Sequence, residues 1–92
     1  MNNPIEIEER LRAEVKNIRV FIPEECDEHV KYSLLLPEDR MFFITVNKIE
    51  IEGLADNEFV FSYFKDRELQ FADLLDFETI IKFINEVCND GI

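Results

Sequence analysis

Apolar residues recur along residues 3–18 with helical spacing. Ile7, Leu11, Val15 and Ile18 lie four, four and three residues apart and form one stripe. Asn3 is a capping residue, Pro4 suits the first helical position, and Glu6 follows the cap by three. Glu6–Arg10 and Glu8–Arg12 are (i, i+4) pairs in the favourable order. The pattern predicts an amphipathic helix.

The period then changes. Val20-Phe21-Ile22 is a short apolar run stopped by Pro23, and residues 24–29 have no apolar rhythm and read as loop. Val30, Tyr32, Leu34 and Leu36 alternate as in a strand, ended by Pro37-Glu38-Asp39-Arg40. Residues 41–51 are β-branched and aromatic, with a change of apolar phase near Asn47 that a β-bulge would explain. Residues 53–57 read as a loop, and residues 58–64 alternate again. With Glu52 set opposite Glu58, Ile51 faces Phe59 and Ile49 faces Phe61. Val46, Val60 and Phe64 are then left on the other side of the sheet. A sheet apolar on both sides needs cover on both, from helices or a second subunit.

Residues 65–68 turn the chain, and Leu69-Gln70-Phe71 reads as a short last strand. Asp76 is placed to cap a second helix, with Glu78 in its first turn. Ile80, Ile81, Phe83, Ile84, Val87 and Cys88 form its apolar side, and Gly91 follows its end. The expected fold is α+β in a single domain over 1–92: a helix, three or four antiparallel strands, and a helix.

Composition narrows the function. The chain has 92 residues, 21 Asp and Glu against 10 Lys and Arg, and a net charge of −11. Such a surface repels phosphate, which disfavours direct binding to nucleic acid or to an anionic membrane. The N-terminus lacks a basic start followed by an apolar stretch, and no segment approaches the roughly 20 apolar residues of a membrane span. Cys26 and Cys88 are expected to be free thiols in a reducing compartment, so the expected location is cytoplasmic.

Two arrangements touch on catalysis. Cys26 and His29 have the spacing of a nucleophile–base pair or of half a metal site. No other Cys or His is near in sequence, and the carboxylates around Cys26 oppose a thiolate. The many Asp and Glu could pair for acid–base work or hold Mg²⁺, but no calcium-loop spacing occurs. The nine Phe and two Tyr read as core. The expectation is a protein that is not an enzyme and needs no cofactor.

The acid excess is concentrated. Residues 1–23 balance four acids with four bases. Three islands hold four acids each and no Lys or Arg: Glu24, Glu25, Asp27 and Glu28; Glu50, Glu52, Asp56 and Glu58; Glu68, Asp73, Asp76 and Glu78. Opposing Glu52 to Glu58 across a hairpin would cost the sheet on the order of 0.2–1 kcal/mol, which suggests a use outside folding. A concentrated negative surface attracts a basic one, and large basic surfaces belong mainly to proteins that hold nucleic acid. A two-fold dimer would match a short duplex better than one chain does, and the uncovered Val46, Val60 and Phe64 supply a reason to dimerise.

In these respects the chain resembles the small acidic inhibitor proteins of phages that mimic DNA. In length and charge it is similar to the anti-restriction nuclease (Arn) proteins of T-even phages. The resemblance rests on size, acidity and a Phe-rich, Lys/Asn/Ile-rich composition over the whole chain, and on no motif, so no family residue is carried over. It implies a dimer in the host cytoplasm that occupies the DNA-binding surface of a restriction nuclease or a histone-like nucleoid protein. The phosphate mimics are expected first in the 50–58 island, then in 24–28, then in 68–78. Two rivals are an immunity protein or CRISPR inhibitor that plugs one nuclease, and a small carboxylate-dependent enzyme.

Overall fold

A computed structural model describes residues 4–49, 52–53 and 57–89. The fold is α+β: α1 (Pro4–Glu14), β1 (Val20–Glu25), β2 (His29–Leu36), β3 (Arg40–Asn47), β4 (Phe59–Lys65), β5 (Glu68–Leu75) and α2 (Phe77–Asn89). The strands form one antiparallel sheet in the order β1-β2-β3-β4-β5, each paired with the next in sequence. The sheet has five strands rather than the three or four expected.

Alternation decides which side of the sheet is covered. Val30, Tyr32, Leu34 and Leu36 of β2, Phe42, Ile44 and Val46 of β3, and Phe59, Phe61 and Tyr63 of β4 are buried. They share one core with Ile7, Leu11 and Val15 from α1 and Phe77, Ile80, Ile81 and Ile84 from α2. Phe83 of α2 stacks on Phe71 and meets Phe61 and Tyr63 edge-on, which seats α2 over β4 and β5. Arg12 of α1 lies over the Phe21 ring, which seats α1 toward β1. Both helices therefore cover the same face. The other face, with Val20, Ile22, Phe43, Val60, Phe64 and Leu74, has no described helix against it.

Several expectations are corrected. β1 runs through Pro23 to Glu25, so Glu24 and Glu25 are strand residues. An edge strand accepts Pro because it has ladder bonds on one side only. β3 ends at Asn47 with no bulge; the phase change there marks the end of the strand. The β3–β4 ladder pairs Ile44 with Phe61 and Thr45 with Val60, so the register that opposed Ile49 to Phe61 and Glu52 to Glu58 does not occur. Val46 is fully buried on the core face beside Val30, so it is not part of the uncovered side. β5 is a full strand, and the irregularity lies between Tyr63 and Phe64, where the pairing shifts past Gln70. α1 ends at Glu14, before the stripe does; Val15 still bonds back to the Leu11 carbonyl (3.0 Å) before Asn17 turns the chain at φ 66°. The proposed Asn3 cap, Ile51 and Gly91 lie outside the described residues.

The turns at Glu38-Asp39 and Asp66-Arg67 place both central residues at positive φ, the geometry that suits a two-residue hairpin. The Asp66 amide donates to the Asp39 carbonyl (3.1 Å) and ties these two turns together at one end of the sheet. Arg40, buried at 3% exposure, opens β3 beside them and is ion-paired with Glu38 (3.6 Å). α2 has no basic residue in its last turn, and Arg40 supplies positive charge near Cys88 there. Burial nevertheless prevails at Cys88 and pushes its thiol up. No described helix is long and apolar enough to cross a membrane.

Candidate interaction surface

Strand direction alternates in an antiparallel meander, so chain connections fall at the two ends of the sheet in turn. The β1–β2 turn (26–28), the exit of β3 (48–49), the approach to β4 (57–58) and the β5–α2 junction (Asp76) all lie at one end. The other end holds the two tight turns and the 15–19 connection. Segments far apart in sequence, each acidic, thus meet along one rim of the sheet.

Local bonds fix the parts of this rim. The Cys26 amide donates to the His29 carbonyl (2.9 Å) and closes the β1–β2 hairpin. The Lys48 amide donates to the Glu28 carbonyl (2.8 Å), drawing the exit of β3 against that hairpin, and the Lys48 ammonium pairs with Glu25. At the other corner, Asp76 caps α2: the Thr79 amide donates to its Oδ1 (2.8 Å), and hydrogen bonds from the Thr79 side chain and backbone hold the Asp76 carboxyl below its ordinary range. Arg10 donates to both oxygens of Glu78 (2.5 and 3.1 Å) and from Nε to Glu14 (2.6 Å), with its guanidinium over the Phe77 ring. The Glu78 bond, then the Glu14 bond, raise Arg10, and the same Arg10 bond lowers Glu78. Asn85 of α2 donates to the Glu14 carbonyl (3.1 Å). The 10–78 and 14–85 contacts run in the same sense, so the helices are parallel and both N-termini point to the acidic rim.

The expected site residues divide by their surroundings. Glu24, Asp27, Glu28 and Glu52 are exposed at this end, and Glu58 is half-buried just before β4. Glu24 is the cross-strand partner of Lys31, whose ammonium lies over Phe43. Glu25, Asp76 and Glu78 are at the same end but are engaged by Lys48, the helix cap and Arg10. Asp73 is exposed on β5, where its Oδ1 accepts the Leu74 amide (2.7 Å). Glu68 starts β5 and therefore sits at the opposite end, apart from the others. Glu50 and Asp56 lie outside the described residues.

Glu6 was missed. It stands in the first turn of α1 and lines a cleft of about 350 Å³ with Ile7, Asn57, Phe59, Asp76 and Phe77. The net balance of residues 1–23 hid an order within it: Glu6, Glu8 and Glu9 come early, while Arg12, Lys16 and Arg19 come late. The start of α1 therefore adds acid to the acidic end, and the 15–19 connection after it adds base to the other. Arg10, expected to pair with Glu6, instead bridges Glu14 and Glu78.

The Cys26 and His29 side chains meet, with Sγ 3.3 Å from Nδ1, among Glu24, Glu25, Asp27 and Glu28. Cys26 is exposed, and both cysteines are free thiols. Among the described residues no three His, Cys, Asp or Glu come together to hold a metal ion. No family model, curated protein or solved structure matches this chain.

Proposed function

We propose that the protein is a DNA mimic, a binding protein rather than an enzyme, whose acidic end occupies the basic DNA-binding surface of another protein. The observation that carries this reading is the convergence at one end of the sheet of the 24–28 segment, Glu52, Glu58 and the α2 start, which are separated by up to about fifty residues in sequence.

Scale supports it. Five strands about 4.8 Å apart give a rim roughly 19 Å wide. Duplex DNA of that length carries about 11 phosphates, roughly half of them facing one partner. Glu6, Glu24, Asp27, Glu28 and Glu52 present a comparable charge along the rim, with Lys48 and Arg10 already engaged by Glu25 and by Glu14 and Glu78. Folding does not account for Asp27 and Glu28, which crowd like charge into an exposed turn. The 24–28 carboxylates are carried by a hairpin closed by the Cys26–His29 and Lys48–Glu28 backbone bonds, and a concentrated negative surface favours fast, salt-sensitive association.

The test is capture from host lysate on immobilised protein, with elution by salt steps or by added duplex DNA and identification by mass spectrometry. The proposal expects DNA-binding proteins that leave with duplex or salt, and their loss when Asp27 and Glu28 are both changed to Lys. Retention of one partner that ignores both salt and duplex would overturn it.

A further inference from the structure

The passage from α1 to β1 runs against the charge of the whole chain. Arg12, Lys16, Asn17, Ile18, Arg19 and Phe21 line a cleft of about 590 Å³ there. The lining holds three bases and no acid, in a chain with 21 acids to 10 bases. Arg10, Arg40, Lys48 and Lys82 are ion-paired. Arg12, Lys16 and Arg19 are exposed and, among the described residues, have no carboxylate partner. The carbonyls that end α1 attract a base within the last turn, and Arg12 answers that need. Lys16 and Arg19 lie past the helix end.

The parts of the cleft are held in place. The Arg12 guanidinium lies 4.4 Å from the Phe21 centroid, and Phe21 stacks on Tyr32 at 5.5 Å. Stacking occupies the face of a guanidinium and leaves its N–H edge for an anion. Asn17, at φ 66°, turns the chain so that Arg19 lines the same cleft, and the Arg19 amide donates to the Leu35 carbonyl (2.8 Å). We propose that this cleft binds a small ligand through a short phosphate chain, a di- or triphosphate group. Three cationic groups around one cleft match the several charges of such a chain, and the arginine edges match its oxygens two at a time. The acidic rim stands at the other end of the sheet, roughly 26 Å away, which is about three Debye lengths at physiological salt. Glu8, one turn before Arg12, does not line the cleft. A compact anion is therefore met by the cleft alone, whereas a duplex laid here would run onto the carboxylates of a chain of net −11. The cleft does not depend on what the acidic rim binds.

Titration of the isotope-labelled protein with inorganic tripolyphosphate, followed by amide NMR at physiological salt, tests the site. Shifts should saturate and be confined to residues 12–21, with orthophosphate and citrate binding more weakly. Lys16→Gln with Arg19→Gln should weaken tripolyphosphate about 10-fold or more, the loss expected for charge-assisted hydrogen bonds, and retain the wild-type circular dichroism spectrum. Lys65→Gln with Arg67→Gln, at the same end of the sheet but outside the cleft, should leave binding unchanged. Adenosine triphosphate distinguishes the sources of the phosphate chain: tighter binding than tripolyphosphate assigns a nucleotide, and equal or weaker binding assigns the phosphate chain alone. Absence of shifts, citrate binding as tight as tripolyphosphate, or equal losses in the two double variants would overturn the proposal.

Discussion

Arg10 of α1 grips Glu78 of α2 through two hydrogen bonds while its guanidinium rests on the Phe77 ring. This contact ties the second half of α1 to the first turn of α2. It also removes one carboxylate and one base from the acidic rim. Glu78 has a folded-state affinity for protons below that of an ordinary glutamate, chiefly because Arg10 bonds it. Its contribution to stability is therefore present above the ordinary glutamate range and is lost as the pH falls through the depressed value. Thermal melts across the acid range should show a shallower fall for Glu78→Gln than for the wild type, with a small loss near neutral pH. An unchanged acid profile would show that the contact adds nothing to the folded state.

Val46 and Val60 separate the observed register from the one inferred from the amino-acid pattern. Val46 is fully buried against Val30, and Val60 is 46% exposed on the uncovered face. Val46→Asp would bury a charge with no partner, at a cost of several kcal/mol, comparable with the whole stability of a small domain. It should fail to fold by circular dichroism and by amide NMR dispersion. Val60→Asp should keep native spectra. Equal tolerance of the two changes would contradict the register.

Tyr32 is buried among the core side chains, and burial, aided by Glu8 and Glu25, raises its hydroxyl to about 12. Because the folded value lies above the unfolded one, the associated stability is intact below about pH 10 and is lost as the pH rises from there through 12. In Tyr63→Phe, the phenolate absorbance should rise with a midpoint near 12, and urea midpoints should decline over the same window. A midpoint near the ordinary tyrosine value would place Tyr32 in water.

Much of the architecture is legible in the amino-acid pattern. The Ile7/Leu11/Val15 and Ile80/Ile84 stripes, the alternation of β2 and the Asp76 cap each arise from local periodicity or local hydrogen bonding, and each is present. What escaped is set by non-local facts. β1 beyond Pro23 and β5 are edge strands that lie mostly in water, so their side chains carry no strong alternation. Ile49 and Ile51 imitate a continuing strand, yet β3 has ended at Asn47, and Ile49 is 47% exposed. That extension displaced the register by five residues and put Val46 on the wrong face. The gathering of the acids follows only from strand count and direction. It places 24–28, Glu52, Glu58 and Asp76 together and Glu68 apart, although Glu68 belongs to the same sequence island as Asp76.

The proposed mimicry has the rim formed by Glu6, Glu24, Asp27, Glu28 and Glu52 take the place of a polynucleotide backbone. It is tested most directly by the salt dependence of affinity for the captured DNA-binding partner. Log affinity should fall linearly with log salt, as it does when that partner binds duplex. Asp27→Lys with Glu28→Lys should flatten the slope and weaken binding about 10-fold or more, since each 1.4 kcal/mol corresponds to tenfold. An affinity indifferent to salt, or unchanged in the double variant, would contradict the account.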